Sequence, residues 1–193
     1  MSAINEYDIT ALDLSELTEF VRLNGTVMHF RKNEYLLMQN EACQWIGLIS
    51  SGMCRITRST SDGRECIVGY SPEQHFVTDY TACLCKRPSL VSIQAMKATT
   101  IYRIPYTTLL SFWQSSPRHQ ELGRLVAEQL FVMTNRRLIE SYCCTPEERY
   151  LEFMRHYPQM KELLPLKEIA SFIGVSPETV SHIRKKLLKS RKS

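Results

Sequence analysis

Several features are missing from this 193-residue sequence. No stretch approaches the roughly 20 consecutive apolar residues that span a bilayer, so no transmembrane helix is expected. Met1 to Thr10 has neither the basic start nor the apolar run of a secretion signal, and a cytoplasmic protein is the expectation. Long internal repeats and low-complexity segments are also absent. The seven cysteines are odd in number and follow no even framework of spacings. Cys83 and Cys85 lie too close for a zinc or thioredoxin-like pair, and Cys143 is adjacent to Cys144. In a reducing compartment they read as free thiols, mostly small buried apolar side chains. His29 and His75 are isolated, and no nucleophile–base pair stands out. No catalytic residue, metal or cofactor is therefore assigned.

What is present begins with an ordinary globular composition, 44% hydrophobic and 23% charged. The net charge of +4 is unevenly placed. Ser176 to Ser193 carries Arg184, Lys185, Lys186, Lys189, Arg191 and Lys192 against Glu178 alone, a local charge of +5. Residues 1–175 sum to −1, with 18 basic and 19 acidic side chains. All the excess positive charge sits at one end, the footprint of phosphate contact; a frayed, merely solubilising basic tail is the alternative.

Texture divides the chain into three regions. Residues from about Thr26 to Ile104 are β-rich, with strands predicted at Trp45–Ser50, Met53–Arg58, Glu65–Tyr70 and Ser89–Met96. Ser51-Gly52 and Asp62-Gly63 are the turn signals, and Asp-Gly predicts a hairpin because both central positions tolerate positive φ. Short strands at this spacing suggest a sandwich or jelly-roll barrel. Pro105 to Ser115 reads as a short helix with proline at its start. Pro117 to Tyr142 reads as a long one, with a seam at Leu122, Val126, Gln129 and Met133 widened by Leu125, Leu130, Val132 and Ile139. Apolar residues on more than one side must bury two faces, one against the barrel and one against a second copy of the helix. A long core helix in a monomer is the other reading. Thr145-Pro146-Glu147-Glu148 then starts a further helix, capped by Thr145 and stopped near Pro158, so Cys143–Thr145 is the expected hinge.

The most informative stretch is Leu166 to Leu188. Leu166, Ile169, Ala170 and Ile173 share one helix face, and Gly174 supplies a left-handed C-terminus. Val175 is an apolar turn residue, Ser176 caps the next helix and Pro177 takes its first position. Val180, Ile183 and Leu187 are its buried side. This is a helix-turn-helix pattern, whose second helix enters the major groove. Glu178, Thr179, Ser181 and His182 lie near the N-terminus of that helix, where base edges are reached. Glutamate accepts from cytosine N4, and the hydroxyls serve either base. Arg184, Lys185 and Lys186 follow, placed for phosphates. Ser176, Glu178, Thr179, Ser181, His182, Arg184, Lys185 and Lys186 are thus the candidate DNA-binding set.

The run Ile169-Ala170-Ser171-Phe172-Ile173-Gly174-Val175-Ser176-Pro177-Glu178-Thr179-Val180-Ser181-His182-Ile183-Arg184 resembles the winged helix-turn-helix of the cyclic-AMP receptor protein/FNR (Crp/Fnr) family. Gly52, Asp62-Gly63-Arg64-Glu65 and the Phe76 segment resemble its β-roll, and residues 117–142 its dimerisation helix. The resemblance implies an α+β bacterial transcription regulator. It would have a jelly-roll, cyclic-nucleotide-binding-like sensor barrel over 1–116, a dimerisation helix over 117–142 and a winged helix-turn-helix over 145–193. It also implies a homodimer on a palindromic operator of double-stranded DNA, with RNA polymerase as a further partner and no membrane. Glu178 matches the family's base-reading glutamate. Pro177 and His182 stand where arginines are usual, so a different target sequence is expected. The short span after the helix leaves little room for a closing hairpin, so any wing is expected before residue 166 or reduced.

In the cyclic-nucleotide-binding members, the resemblance places a Gly-Glu pair at Thr78-Asp79 and an Arg-Ser pair at Ser89-Leu90. Glycine there allows close backbone approach, glutamate takes a ribose hydroxyl and arginine neutralises phosphate. The base-reading positions of the long helix fall on Val132 and Met133. Thr78, Asp79, Ser89, Leu90, Val132 and Met133 are thus the candidate effector pocket, altered at three places together. Arg87 lies two residues upstream of Ser89 with Pro88 between. Burying a phosphate without a guanidinium partner is costly, so cyclic AMP is not expected and the effector is unknown. Trp45, Tyr70, Tyr80 and Met96 are candidate lining for an apolar pocket, with core packing as the default. Two other classes stay open: a ligand-binding adaptor with a vestigial DNA domain, and a cupin-like metal enzyme, for which a histidine cluster is lacking.

Overall fold

The computed structural model describes residues 12–157 and 164–190. The expectations for Met1–Thr10, for a stop at Pro158, for a wing at 158–163, and for Arg191 and Lys192 lie outside the described residues. The chain opens with α1 (Ser15–Asn24) and then forms β1 (Thr26–Phe30), β2 (Tyr35–Leu37), β3 (Trp45–Ser51), β4 (Met53–Ser59), β5 (Glu65–Pro72) and β6 (Phe76–Val77). A short helix α2 (Tyr80–Cys85) precedes β7 (Ser92–Ala95) and β8 (Thr99–Pro105). Five helices follow: α3 (Tyr106–Gln114), α4 (Pro117–Cys143), α5 (Pro146–His156), α6 (Leu166–Ile173) and α7 (Pro177–Ser190). Among the described residues, no helix is long and apolar enough to cross a membrane.

The strands make two four-stranded antiparallel sheets, ordered β1-β8-β3-β6 and β2-β7-β4-β5. Between them lie Leu37, Trp45, Ile49, Cys54, Val77, Ile93 and Ile101. The opposite side of the first sheet is covered as well: Ile46, Leu48 and Ile104 pack with Leu17 and Val21 of α1, Leu109 and Phe112 of α3, and Leu122 of α4. That double burial explains why β3 reads as a continuous apolar run rather than an alternating one.

The Ser51-Gly52 turn falls as expected, and two other details differ from the sequence expectations. Gly52 joins β3 and β4, which belong to different sheets. It swings the chain between them at φ 109°, so close to Thr99 that a Cβ would fall 2.6 Å from its Cα. The Asp62-Gly63 hairpin joins β4 and β5, but only Gly63 has positive φ, at 80°. Thr60 O accepts from Gly63 N at 3.0 Å and Thr60 N donates to Arg64 O at 2.8 Å, a turn closed by one left-handed glycine. Asp62 instead uses its carboxylate, accepting from Arg64 Nε at 2.6 Å and from the Thr60 hydroxyl. Strand β7, expected from Ser89, starts late, at Ser92, because Leu90 N is taken by Asp79 Oδ2 and Ser89 O by Asn40 N.

The outer face of the second sheet carries the C-terminal helices. Met53, Ile67 and Tyr70 form one cluster with Tyr150 and Phe153 of α5, Ile169, Ala170 and Ile173 of α6, and Val180 and Ile183 of α7. Phe172 stacks among Tyr70, Phe153 and Tyr157, with centroids 5.6, 4.9 and 5.9 Å away. Arg137 of α4 places its guanidinium 4.7 Å over the same ring and donates to Val68 O. Polar contacts seal the edge. Arg55 Nη1 meets Glu168 Oε1 at 3.2 Å, Tyr70 donates to Glu168 Oε2 at 3.4 Å, and Ile67 N donates to Ser171 Oγ at 3.1 Å. Burial, reinforced by the Glu168 charge, pushes the Tyr70 hydroxyl well above its usual pKa and keeps it a donor.

Three substitutions test this description. Gly52→Ala meets both a left-handed φ and the Thr99 backbone, and should cost about 2–4 kcal/mol in urea unfolding. Gly63→Ala meets nothing within 4 Å and should cost only about 1 kcal/mol; equal losses would contradict the close Thr99 approach. Phe172→Ala should cost about 2–3 kcal/mol, less than a fully buried phenylalanine. It should also raise hydrogen exchange in α6 and β5, and protection unchanged there would refute the docking.

Candidate functional site

The candidate nucleic-acid site is built by three capped helices. Thr145 starts α5 with a reciprocal pair: Glu148 N donates to Thr145 Oγ1 at 3.3 Å and Thr145 N donates to Glu148 Oε2 at 2.7 Å. Arg149 reaches back and forward from that turn, donating to Cys144 O at 2.7 Å and to Ile173 O at 2.9 Å. It thereby ties the end of α4 to the end of α6. Gly174 closes α6 at φ 71° and ψ 41°. Val175 N donates to Ala170 O at 2.9 Å and Gly174 N to Ser171 O at 3.3 Å, the paired bonds of a Schellman ending. Ser176 Oγ then accepts from Thr179 N at 3.3 Å and opens α7.

These turns decide which side of α7 faces outward. Val180 and Ile183 are buried at 0% and 5% exposure, and Leu187 is half-buried. Glu178, His182, Lys185 and Lys189 are exposed at helical spacings of four, three and four, so they form one outward stripe. Ser176 is exposed beside its leading end, and Thr179 and Ser181 are half-buried on its flanks. A hydrogen bond from Ser176 holds the Glu178 carboxyl below the usual carboxylate range, so it presents an anionic acceptor.

Two of the candidate cations are placed differently from the rest. Arg184 is half-buried; its Nε donates to Tyr150 Oη at 3.0 Å and its guanidinium centre lies 5.9 Å from that ring. Its Nη2 is buried without a hydrogen-bond partner among the described residues. Lys186 pairs with Glu147 of α5 at 2.5 Å. Both join α7 to α5, whereas Lys185 stands on the open side.

The candidate effector residues separate into two groups. Thr78, Asp79, Ser89 and Leu90 do come together. Asp79 caps α2 by accepting from Ala82 N at 3.0 Å, and its second oxygen accepts from Ser89 Oγ at 2.8 Å and Leu90 N at 3.1 Å. Both carboxylate oxygens are thus taken by the chain's own donors, which leaves Asp79 poorly placed to receive a ribose hydroxyl. Ser89 is fully buried, while the Leu90 side chain is 53% exposed. Val132 and Met133 stand on α4, well exposed and outside this network. The four aromatic and thioether candidates also fail to converge. Trp45 lies in the inter-sheet core, Tyr70 and Met96 against the C-terminal helices, and Tyr80 against Tyr106. Of the isolated histidines, His29 Nδ1 is 3.1 Å from Thr100 Oγ1 and His75 Nδ1 is 3.0 Å from Glu73 O.

A groove of about 530 Å³ runs beside α4, lined by Val68, Phe131, Thr134, Asn135, Leu138 and Ser141 among others. The sequence reading did not single it out. Its signal was Phe131 and Leu138, apolar residues off the Leu122–Met133 seam; they are 71% and 54% exposed.

Comparison with known proteins agrees with this architecture. The cyclic nucleotide-binding domain family matches residues 27–116. No curated protein sequence matches the chain. Among solved structures, FixK2 from Bradyrhizobium japonicum superposes with a TM-score of 0.70 at 19% identity, covering 86% of this chain and 85% of FixK2. A CooA mutant from Carboxydothermus hydrogenoformans gives 0.71 at 17% identity, covering 89% of this chain and 79% of that one. CLP from Xanthomonas campestris, a c-di-GMP responsive global regulator, gives 0.68 at 17% identity, covering 92% and 93%. A barrel of two antiparallel sheets, a long helix and a terminal helix-turn-helix occur here in the order these Crp/Fnr proteins share. Residues 27–116 are thus similar to the cyclic nucleotide-binding domain family, and the described residues share the fold of these solved structures.

Proposed function

We propose that the chain is a cytoplasmic, non-enzymatic DNA-binding transcription regulator of the Crp/Fnr type, working as a homodimer on a palindromic operator. One observation carries this reading: the capped helix α7 turns Glu178, His182 and Lys185 outward while burying Val180 and Ile183. A helix kept only for packing has no use for a polar leading edge and a cationic trailing one. In the major groove, Glu178 accepts from a base edge, with Ser176, Thr179, Ser181 and His182 beside it. Lys185 meets phosphate, and Arg184 and Lys186 fix the helix on α5.

Support for the dimer comes from α4. Of its 27 residues only Leu122 is buried. Phe131, Met133, Leu138, Ile139 and Tyr142 are each more than half exposed, an apolar surface unusual on a solvated helix. A second copy of α4 covers it and sets two recognition helices about 34 Å apart, one turn of duplex. Cyclic AMP is not assigned as effector, because Asp79 already accepts from Ser89 Oγ and Leu90 N, the donors a ligand at this place would need.

Binding sites selected from random duplexes should be palindromic. On such a site Lys185→Ala should weaken all sequences alike and lower the slope of log affinity against log salt by about 1. Glu178→Ala should instead lose about 1–3 kcal/mol of discrimination at one base pair per half-site. Absence of salt-dependent duplex binding by the wild type at low salt would refute the regulator and favour a sensor adaptor. Phe131→Glu with Leu138→Glu should halve the mass measured by light scattering; a monomeric wild type would refute the dimer.

A further inference from the structure

The sensor barrel holds two free thiols that the regulator reading leaves unused. Cys43 leads into β3 and Cys83 sits in the middle of α2, 40 residues away. Their sulfurs are 3.6 Å apart, both side chains are buried and neither is in a disulfide. The Thr78 hydroxyl lies 3.4 Å from Cys43 Sγ and 3.5 Å from Cys83 Sγ, and donates to Trp45 O at 2.6 Å. The same Trp45 carbonyl is 3.8 Å from Cys43 Sγ and 3.5 Å from Cys83 Sγ. Two thiols and a hydroxyl converge on one backbone oxygen.

We propose that Cys43 and Cys83 form a reversible dithiol–disulfide site, oxidised by small uncharged hydroperoxides. Closing the bond shortens the sulfur separation by roughly 1.5 Å, within the play of two side chains. The pair is buried but shallow: Ala42, Gln44 and Leu84, which flank the two cysteines, are exposed. Cys43 is the attacking thiol. A hydrogen bond from Cys83 favours its thiolate against the opposing effect of burial. Loss of that first proton makes the proton on Cys83 harder to remove. Cys54 shows what burial alone does, its thiol pushed up to about 12.

The chemistry balances in two steps. With hydrogen peroxide, Cys43 sulfur attacks one peroxide oxygen, the O–O bond breaks, and the departing oxygen takes the thiol proton and leaves as water, with a sulfenic acid left on Cys43 (an organic hydroperoxide would release an alcohol instead). Cys83 sulfur then attacks the Cys43 sulfur, the S–O bond breaks, and its proton leaves with the hydroxyl as a second water. Two thiols are oxidised and one hydroperoxide is reduced. Mechanically, the bond ties the lead of β3 to α2. Since α2 is capped by Asp79, which also holds Ser89 and Leu90, the strain arrives at the centre of the sensor cluster.

The test does not depend on DNA binding. The full-length protein is reduced, treated with hydrogen peroxide near neutral pH, blocked with N-ethylmaleimide in denaturant and digested without reductant. Mass spectrometry should find one peptide pair joined through Cys43 and Cys83, most maleimide labelling lost at both, and full recovery with dithiothreitol. Cys54 should stay labelled throughout. In Cys83→Ser, dimedone should trap a sulfenic acid on Cys43, and its absence there would overturn Cys43 as the attacking thiol. If that variant fails to fold, the wild-type measurement decides alone. Full labelling of both residues at peroxide doses that oxidise the exposed Cys85 and Cys143, or a disulfide joining either to another cysteine, would overturn the proposal.

Discussion

The position of helix α7 depends on one aromatic contact, Phe172 of α6 packed between Tyr70 of the barrel and Phe153 and Tyr157 of the C-terminal region. Everything distal to α6 inherits its placement. Gly174 and Ser176 fix the angle from α6 to α7, so α7 cannot be turned without moving Phe172 or undoing the Schellman turn. Three elements meet at that ring: β5 through Tyr70, α4 through Arg137 and α5 through Phe153. A change at any of them is felt at α7.

Apolar packing supplies the stability of this contact, and the polar groups around it supply direction. Arg55 and Glu168 are each about one-fifth exposed at the side chain. A pair in that setting gains little net energy over solvated partners, but removing one member strands a half-buried charge. Gln94 Oε1 accepts from Arg55 Nε at 2.9 Å, which leaves the guanidinium fork aimed at Glu168. Tyr70, kept neutral, donates to the same carboxylate. Glu168 thus reads the position of two barrel side chains at once. Displacing α6 breaks both contacts together, which favours two discrete arrangements over gradual drift.

Local signals made much of this legible from sequence, and long-range packing hid the rest. The Thr145 capping box, the Gly174 ending and the Ser176 cap each involve residues within a few positions of one another, so their chemistry shows in the order of the letters. Arg184 does not: its neighbour Tyr150 lies 34 residues away, and a basic side chain on a helix flank looks the same whether it faces water or a phenol. The docking of α6 left a clue in Phe172. The apolar face of that helix was complete with Leu166, Ile169, Ala170 and Ile173, so a large aromatic off that face needed a second neighbour. Ser89 was read as strand because β propensity cannot register a carboxylate ten residues earlier that takes its hydroxyl. The Cys43–Cys83 pair has no spacing cue, since sheet topology alone joins positions so far apart.

Helix α4 links the two ends of the molecule by geometry that neither end explains. Its N-terminal turns are anchored: Ser116 caps it, Gly123 lies against the Trp113 ring and Leu122 enters the barrel's covering layer. Its C-terminal half carries Phe131, Leu138 and Tyr142 into solvent, yet Arg137 in the same stretch holds Phe172. Arg136, one residue earlier, pairs with Glu140 on its own helix and with Glu152 of α5. Whatever covers the apolar surface of this half therefore constrains Arg136 and Arg137, and with them the placement of α5 and α6. Covering the apolar surface of α4 and orienting α7 are then one linked equilibrium rather than two, so a ligand or modification that favours one arrangement of the barrel would shift both.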